Sequence, residues 1–303
     1  MESETVLKSV DVAHENSVLK KSKKPNIPLA LRTIQWIFPR VEKLAPRIAE
    51  KWFINLFFSP PRFPIPANEL KFIEEAERFE LSVWDNRVRC YKWGTQGPVV
   101  FFVHGWAGRS AQFKTFIPFF TNAGYQVVAF DAPAHGLTKG KKTTIIDFKN
   151  TLLALRQVFG KPHAVIAHSL DGAACLYAIT EGMDVSRLVT LSTPTSGDQI
   201  IKEFSTRLGA SSSLSEALQR YIKSRLHKPF DEFMASHFVQ QLNPGLRWLI
   251  VHDTHDREAP VENALSLKDS YPDASILITE RLGHVRILKD EDVITKSLLF
   301  ISC

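Results

Sequence analysis

The chain has 303 residues, 44% hydrophobic and 23% charged, with a mean hydropathy of −0.09; this excludes a disordered chain and leaves room for a large core. The net charge of +6 sits at one end: residues 1–66 hold 11 Lys and Arg against 6 Asp and Glu, while the other 237 residues hold 27 against 26. Three scattered cysteines (Cys90, Cys175, Cys303) exclude a disulfide framework or a Cys-type zinc site, and no apolar run reaches the ~18–20 residues of a membrane span.

Residues 1–26 read as a polar, basic tail centred on Lys20, Lys21, Lys23 and Lys24, and Met1–Thr5 carries no apolar stretch suited to secretion. The expectation is a cytoplasmic protein. The lysines suit anionic lipid or phosphate, but no nucleic-acid-binding motif accompanies them, so no nucleic-acid partner is expected. Residues 27–79 read as a helical extension. Ile34, Ile37, Phe38, Val41, Leu44, Ala45, Ile48 and Trp52 recur at helical spacing, and Pro39 and Pro46 divide the stretch into short helices. This stripe packs on the protein itself or, alternatively, gives residues 20–58 a peripheral membrane contact. A further helix is expected over Asn68–Phe79.

Residues 80–195 and 244–303 read as one core. Leu81–Trp84 and Val88–Tyr91 alternate like antiparallel strands around Asp85-Asn86. Six short apolar runs follow, at 99–103, 126–130, 164–167, 188–191, 248–251 and 275–278, and helical stretches such as Ile145–Phe159 and Gly172–Ile179 separate most of them. Strands without alternation are covered on both faces, which implies a mainly parallel sheet flanked by helices, with ligands at the carboxyl ends of the strands. Residues 196–243 contain only helix-like pieces (Asp198–Leu208, Leu214–Leu226, Pro229–Leu242) and read as a helical cap. Its residues Phe204, Leu218, Tyr221, Phe230, Phe233 and Phe238 either face an apolar substrate or hold the cap on the core.

The chemistry concentrates at strand ends. In Val165-Ile166-Ala167-His168-Ser169-Leu170-Asp171-Gly172, a buried strand ends, a serine follows and small residues open a helix. That is the layout of a nucleophile elbow, against the alternative of a plain serine N-cap. Asp256 follows one late strand and His284 the next, which gives the order serine, acid, histidine expected on such a sheet. Asp253 is the rival acid. His252, Asp253, His255 and Asp256 also have a metal-like composition without a helical histidine pair. After the first buried strand, Gly105 permits a sharp turn that would aim the Trp106 amide at the same point as the Leu170 amide.

These segments resemble the α/β-hydrolase fold, most closely bacterial serine hydrolases with a helical lid. The similarity rests on His104-Gly105-Trp106-Ala107-Gly108-Arg109, Phe130 to Gly136, the Ser169 elbow, Asp256-x-x-Ala259-Pro260 and Leu282 to Leu288. The resemblance implies Ser169 as nucleophile, His284 as general base, Asp256 as its orienting acid, and the Trp106 and Leu170 amides as oxyanion hole. It implies no cofactor and no metal. A small acyl ester or thioester with an apolar portion is the expected substrate, and a non-catalytic ligand- or protein-binding protein is the alternative.

The elbow departs from the family's Gly-x-Ser-x-Gly at Ala167 and Asp171. An ionised Asp171 roughly 6 Å from the oxyanion, at an effective dielectric near 20, would oppose it by about 2.8 kcal/mol, some hundredfold in rate. Asp171 is therefore expected to slow or tune the chemistry unless it points away. His168 is expected to pack or to line the substrate, and His104 and His135 to fix loops near the site.

Overall fold

A computed structural model describes residues 29–303. The basic cluster Lys20–Lys24 lies outside these residues. The N-terminal region folds as α1 (Leu29–Leu44), α2 (Pro46–Phe57) and α3 (Ala67–Glu74). Pro39 lies inside α1 and does not end it. A proline inside a helix costs about 3 kcal/mol. The fully buried Phe38 and Phe53 contribute about 1.5–3 kcal/mol each, so packing overrides the local penalty. Phe38 meets Trp52 at 5.2 Å and Phe53 at 6.0 Å between ring centroids, so α1 and α2 bend into a corner at Ala45.

The first strand starts earlier than its sequence suggests. β1 spans Glu77–Val83, and α3 stops at Glu74 because Phe79, Leu81 and Val83 follow a two-residue period toward the core. β2 (Asn86–Trp93) pairs with β1 antiparallel, with Val83 opposite Asn86. The turn is therefore Trp84-Asp85, one residue earlier than expected, with Trp84 at φ 51°.

The remaining elements are β3 (Val99–Val103), α4 (Phe116–Asn122), β4 (Gln126–Asp131), α5 (Ile145–Phe159), β5 (Ala164–His168), α6 (Asp171–Thr180), β6 (Arg187–Leu191), α7 (Gly197–Leu208), α8 (Ser212–Leu226), α9 (Ala235–Phe238), β7 (Arg247–Asp253), α10 (Glu262–Ser270), β8 (Ser275–Thr279), α11 (Gly283–Arg286) and α12 (Glu291–Ser302). The stretch 229–242 is not one helix. Met234 is extended at φ −98°, ψ 162°, and the chain divides there into α9 flanked by short 3-10 turns.

The eight strands form one sheet in the order β1-β2-β4-β3-β5-β6-β7-β8. β2 runs antiparallel to β1 and β4, and every later pairing is parallel. One apolar layer joins the sheet to α5, α6 and α10, and another joins its opposite face to α4 and α12. Covered on both faces, the strands have no polar side to alternate with. A third cluster binds α1 and α2 to α7 and α8, through Phe38, Phe53 and Ile54 against Ile201, Leu218 and Ile222. Part of the sequence stripe thus packs inward, while Leu44 and Ile48 point to solvent. No helix among the described residues is long and apolar enough to cross a membrane.

Candidate active site

β5 ends at His168, and Ser169 follows with φ 60°, a left-handed conformation that costs a non-glycine residue about 1–3 kcal/mol. Two backbone bonds hold it there: Ser169 N–H donates to the Leu191 carbonyl on β6 at 2.8 Å, and Gly172 N–H donates to the Ser169 carbonyl at 3.0 Å. The elbow leaves no room around it. A Cβ at Gly105 would lie 2.8 Å from the Ser169 Cβ, and one at Gly172 would lie 2.1 Å from Thr193 Oγ1. The close approach of α6 to the chain leaving β6 is therefore made at Gly172.

The loops after β7 and β8 bring the other two groups. Ser169 Oγ donates to His284 Nε2 at 2.9 Å, and His284 Nδ1 donates to Asp256 Oδ2 at 2.7 Å. The other Asp256 oxygen accepts the N–H groups of Glu258 at 2.8 Å and Ala259 at 3.0 Å. Burial alone would raise Asp256, but the His284 hydrogen bond and charge, with those two N–H groups, outweigh it and lower the carboxyl to about 2.

Asp253, the rival acid, serves the loops instead. It accepts from His255 N–H and Gly283 N–H on one oxygen and from Leu282 N–H and Thr279 Oγ1 on the other, all at 2.8–2.9 Å. One carboxylate at the end of β7 thus anchors the turn that presents His284. His252 donates from Nε2 to the Ala259 carbonyl at 2.7 Å, with Asp256 Oδ2 3.8 Å away. Each of these residues is engaged with protein groups, and no cluster of three or more His, Cys, Asp or Glu among the described residues could hold a metal.

β3 and β5 are parallel neighbours, so the loop after β3 reaches the same edge as the elbow. Two acceptor–donor pairs shape it: His104 Nε2 accepts from Ala132 N–H at 3.1 Å, and His135 Nε2 accepts from Ala107 N–H at 3.0 Å. Burial lowers both imidazoles, His104 to about 4 and His135 to about 3, which keeps these nitrogens free to accept. Asp131, at the end of β4, ties Ser110, Leu137 and Tyr91 into the same layer. Among the described residues, the amides of Trp106 and Leu170 have no protein acceptor. Both residues line a cavity with Ser169 and His284, enclosed by Phe57 and Phe58 of the N-terminal region, by Ile200 and Phe204 of α7, and by Phe230 and Phe233.

The family model described as the α/β hydrolase fold matches residues 98–246. The chain is an α/β-hydrolase-fold protein. Among curated proteins it is similar to a "Serine hydrolase-like protein" of Danio rerio, 30% identical over 32% of this chain and 31% of that protein. It is also similar to "Protein ABHD8" of Mus musculus, 24% identical over 71% of this chain and 57% of that one. The chain thus spans about a third of the first relative's length and under two thirds of the second's. Among solved structures, the Pyrococcus furiosus esterase Pf2001 superposes with a TM-score of 0.61 at 21% identity, covering 80% of this chain and 98% of that one. Asp256 and His284 lie beyond the stretch that the family model matches.

Within this α/β-hydrolase-fold protein, Asp171 behaves differently from the sequence expectation. It is fully buried, both oxygens lack a partner, and it does not line the cavity. Burial pushes its carboxyl well above the usual range, favouring the neutral acid. In that neutral form the repulsion expected of an ionised Asp171 is absent.

His168 is absent from the cavity wall. Its buried ring donates from Nε2 to the His284 carbonyl at 2.8 Å, and burial followed by the nearby His284 lowers it to about 3. It holds the backbone of the residue whose side chain meets Ser169. Sequence reasoning did not find this positioning role, nor the place of Phe57 and Phe58 in the cavity wall; for Asp253 it held open a turn-holding role beside that of rival acid, and the turn-holding role is the one seen. The six aromatic and aliphatic residues at 196–243 divide: Phe204, Phe230 and Phe233 face the cavity, Leu218 is buried against α1–α2, Tyr221 packs on the same cluster 6.0 Å from the Phe58 ring, and Phe238 stacks on Tyr177 at 4.5 Å.

Proposed function

We propose that the protein is a serine hydrolase that cleaves carboxylic esters or thioesters with an apolar acyl group. The observation that carries this reading is the unbroken chain Asp256–His284–Ser169, with contacts of 2.7 and 2.9 Å, opening on an apolar cavity beside two unpaired amides. Ser169 Oγ attacks the carbonyl carbon while its proton passes to His284 Nε2. Asp256 fixes the tautomer with Nδ1 protonated and stabilises the imidazolium. The Trp106 and Leu170 amides receive the oxyanion, and donors of this kind are worth about 2.7–4 kcal/mol each in the transition state. The imidazolium then protonates the leaving alkoxide or thiolate. Water, deprotonated by His284, releases the acyl group and regenerates the serine.

Phe57, Phe58, Phe204, Phe230 and Phe233 supply the wall for the apolar portion. Glu203, Arg207 and Glu258 are the charged residues of the lining, and Arg207 pairs with Glu258 at 3.5 Å. The competing reading, a binding protein without turnover, drew on Asp171; a neutral carboxyl outside the cavity removes that support. A fluorophosphonate probe tests the proposal. Covalent labelling of the folded protein, lost in Ser169→Ala, is expected. Absence of labelling together with absence of turnover on a graded series of acyl esters would replace the hydrolase with the binding protein.

A further inference from the structure

The corner made by α1 and α2 has two unlike sides. Its inner side is closed by α7 and α8, and the α2 terminus continues into the cavity wall at Phe57 and Phe58. Its outer side leaves large apolar groups in water: Trp36 is 61% exposed, Leu44 84% and Ile48 63%. Helical spacing sets Trp36, Arg40, Lys43 and Leu44 along one flank of α1 and Arg47, Ile48 and Lys51 along one flank of α2.

Charge on the corner is almost all of one sign. Arg32, Arg40, Lys43, Arg47 and Lys51 are exposed, against Glu50 as the exposed acid, while Glu42 is half-buried and accepts hydrogen bonds from Ser211. None of the ion pairs among the described residues includes any of the five cations. Elsewhere, α8 and α12 each hold one cation in an ion pair within the helix, Arg220 with Glu216 and Lys296 with Asp292. On α1 the Arg40 guanidinium instead lies 4.0 Å from the Trp36 ring centroid. The sequence continues the same sign immediately upstream with Lys20, Lys21, Lys23 and Lys24.

Unpaired cations interleaved with exposed tryptophan, leucine and isoleucine complement an anionic bilayer surface, where headgroups meet the charges and the acyl boundary takes the apolar groups. We propose that the outer face of α1–α2 docks this protein on anionic lipid membranes, independently of the chemistry at Ser169. In this arrangement one element meets lipid on its outside and ends in the wall of an apolar cavity.

Cosedimentation of the full chain with vesicles tests the docking, comparing phosphatidylcholine alone with a phosphatidylcholine–phosphatidylglycerol mixture. Binding is expected only to the anionic vesicles and is expected to fall at high salt, where screening shortens to about 3 Å at 1 M. The double variants Leu44→Glu/Ile48→Glu and Arg40→Glu/Arg47→Glu are each expected to weaken partitioning at least about tenfold, with unchanged circular dichroism and melting temperature. Should glutamate at the two apolar sites disturb folding, Leu44→Ser/Ile48→Ser serves in its place. Equal binding to both vesicle types, no binding to either, or binding that survives both variant pairs would overturn the proposal. So would concentration-dependent self-association in sedimentation velocity that disappears in the Leu44/Ile48 variant, which would assign the face to a second copy of the chain.

Discussion

Buried aspartates near the carboxyl ends of the strands have opposite fates in this molecule. At the end of β7, Asp253 and Asp256 sit among N–H groups, a hydroxyl and an imidazole, and both are held below the usual carboxylate range against the opposing effect of burial. At the start of α6, Asp171 is more deeply buried and meets no donor, so its carboxyl is pushed upward. Asp171 lies deeper, and it also lacks the donors that surround the other two. Burial thus sets the penalty for a charge, and local hydrogen bonding decides whether that penalty is overcome.

The sharpest break of this contrast is Asp256→Asn. It keeps the shape of the site but favours the wrong imidazole tautomer, and a fall in kcat of about 10³–10⁴ is expected in steady-state ester hydrolysis. Retained activity would mean that another group orients His284. Next in size is Asp253→Ala, which strips four hydrogen bonds from the turns bearing His255, Thr279 and His284. Bonds to a charged acceptor contribute about 1.5–3 kcal/mol, so a loss of about 3 kcal/mol or more in urea unfolding should accompany a lower rate.

The smallest effect has the opposite sign. Asp171→Ala removes a buried carboxyl without a partner and should raise stability by about 1–2 kcal/mol, with the proposed ester turnover unchanged or higher. The pH dependence separates the two regions further. Asp171 keeps its proton longer folded than unfolded, so its contribution is complete below about pH 4 and declines as pH rises, by up to about 1.4 kcal/mol per unit. Asp256 does the reverse: its contribution is present above about pH 4 and is lost as pH falls toward 2. Urea midpoints measured from acid to neutral pH should therefore decline less in Asp171→Asn than in the parent.

The contrast also explains what could be read from the sequence. The six apolar runs became β3 to β8 within a residue or two, because a strand covered on both faces has a composition that needs no tertiary knowledge. The sites of Ser169, Asp256 and His284 were visible because each stands just behind such a run. What each side chain touches was not visible. Asp253 and Asp256 are three residues apart with the same chemistry, and only the fold decides which meets an imidazole and which meets N–H groups. The neutral state of Asp171 depends on the absence of neighbours, which no motif records. Pro39 failed as a break because the packing of Phe38 and Phe53 outweighs a local preference. α4, α10 and α12 were not read as helices; α10 carries few apolar residues and α4 contains Pro118, whereas α12 has an apolar face at helical spacing (Val293, Ile294, Leu298, Ile301) that was passed over.

The contact of α1–α2 with α7–α8 also constrains how the chain matures during synthesis. Phe38 and Phe53 have no partners beyond their own corner until Ile201, Leu218 and Ile222 have been made, some 150 or more residues later. At translation speeds of about 5–20 residues per second, the nascent corner waits on the order of ten to thirty seconds with its aromatic side uncovered. Anything that shields apolar surface on the ribosome, or a nearby lipid surface, would have its opening during that interval, before the enclosing helices arrive.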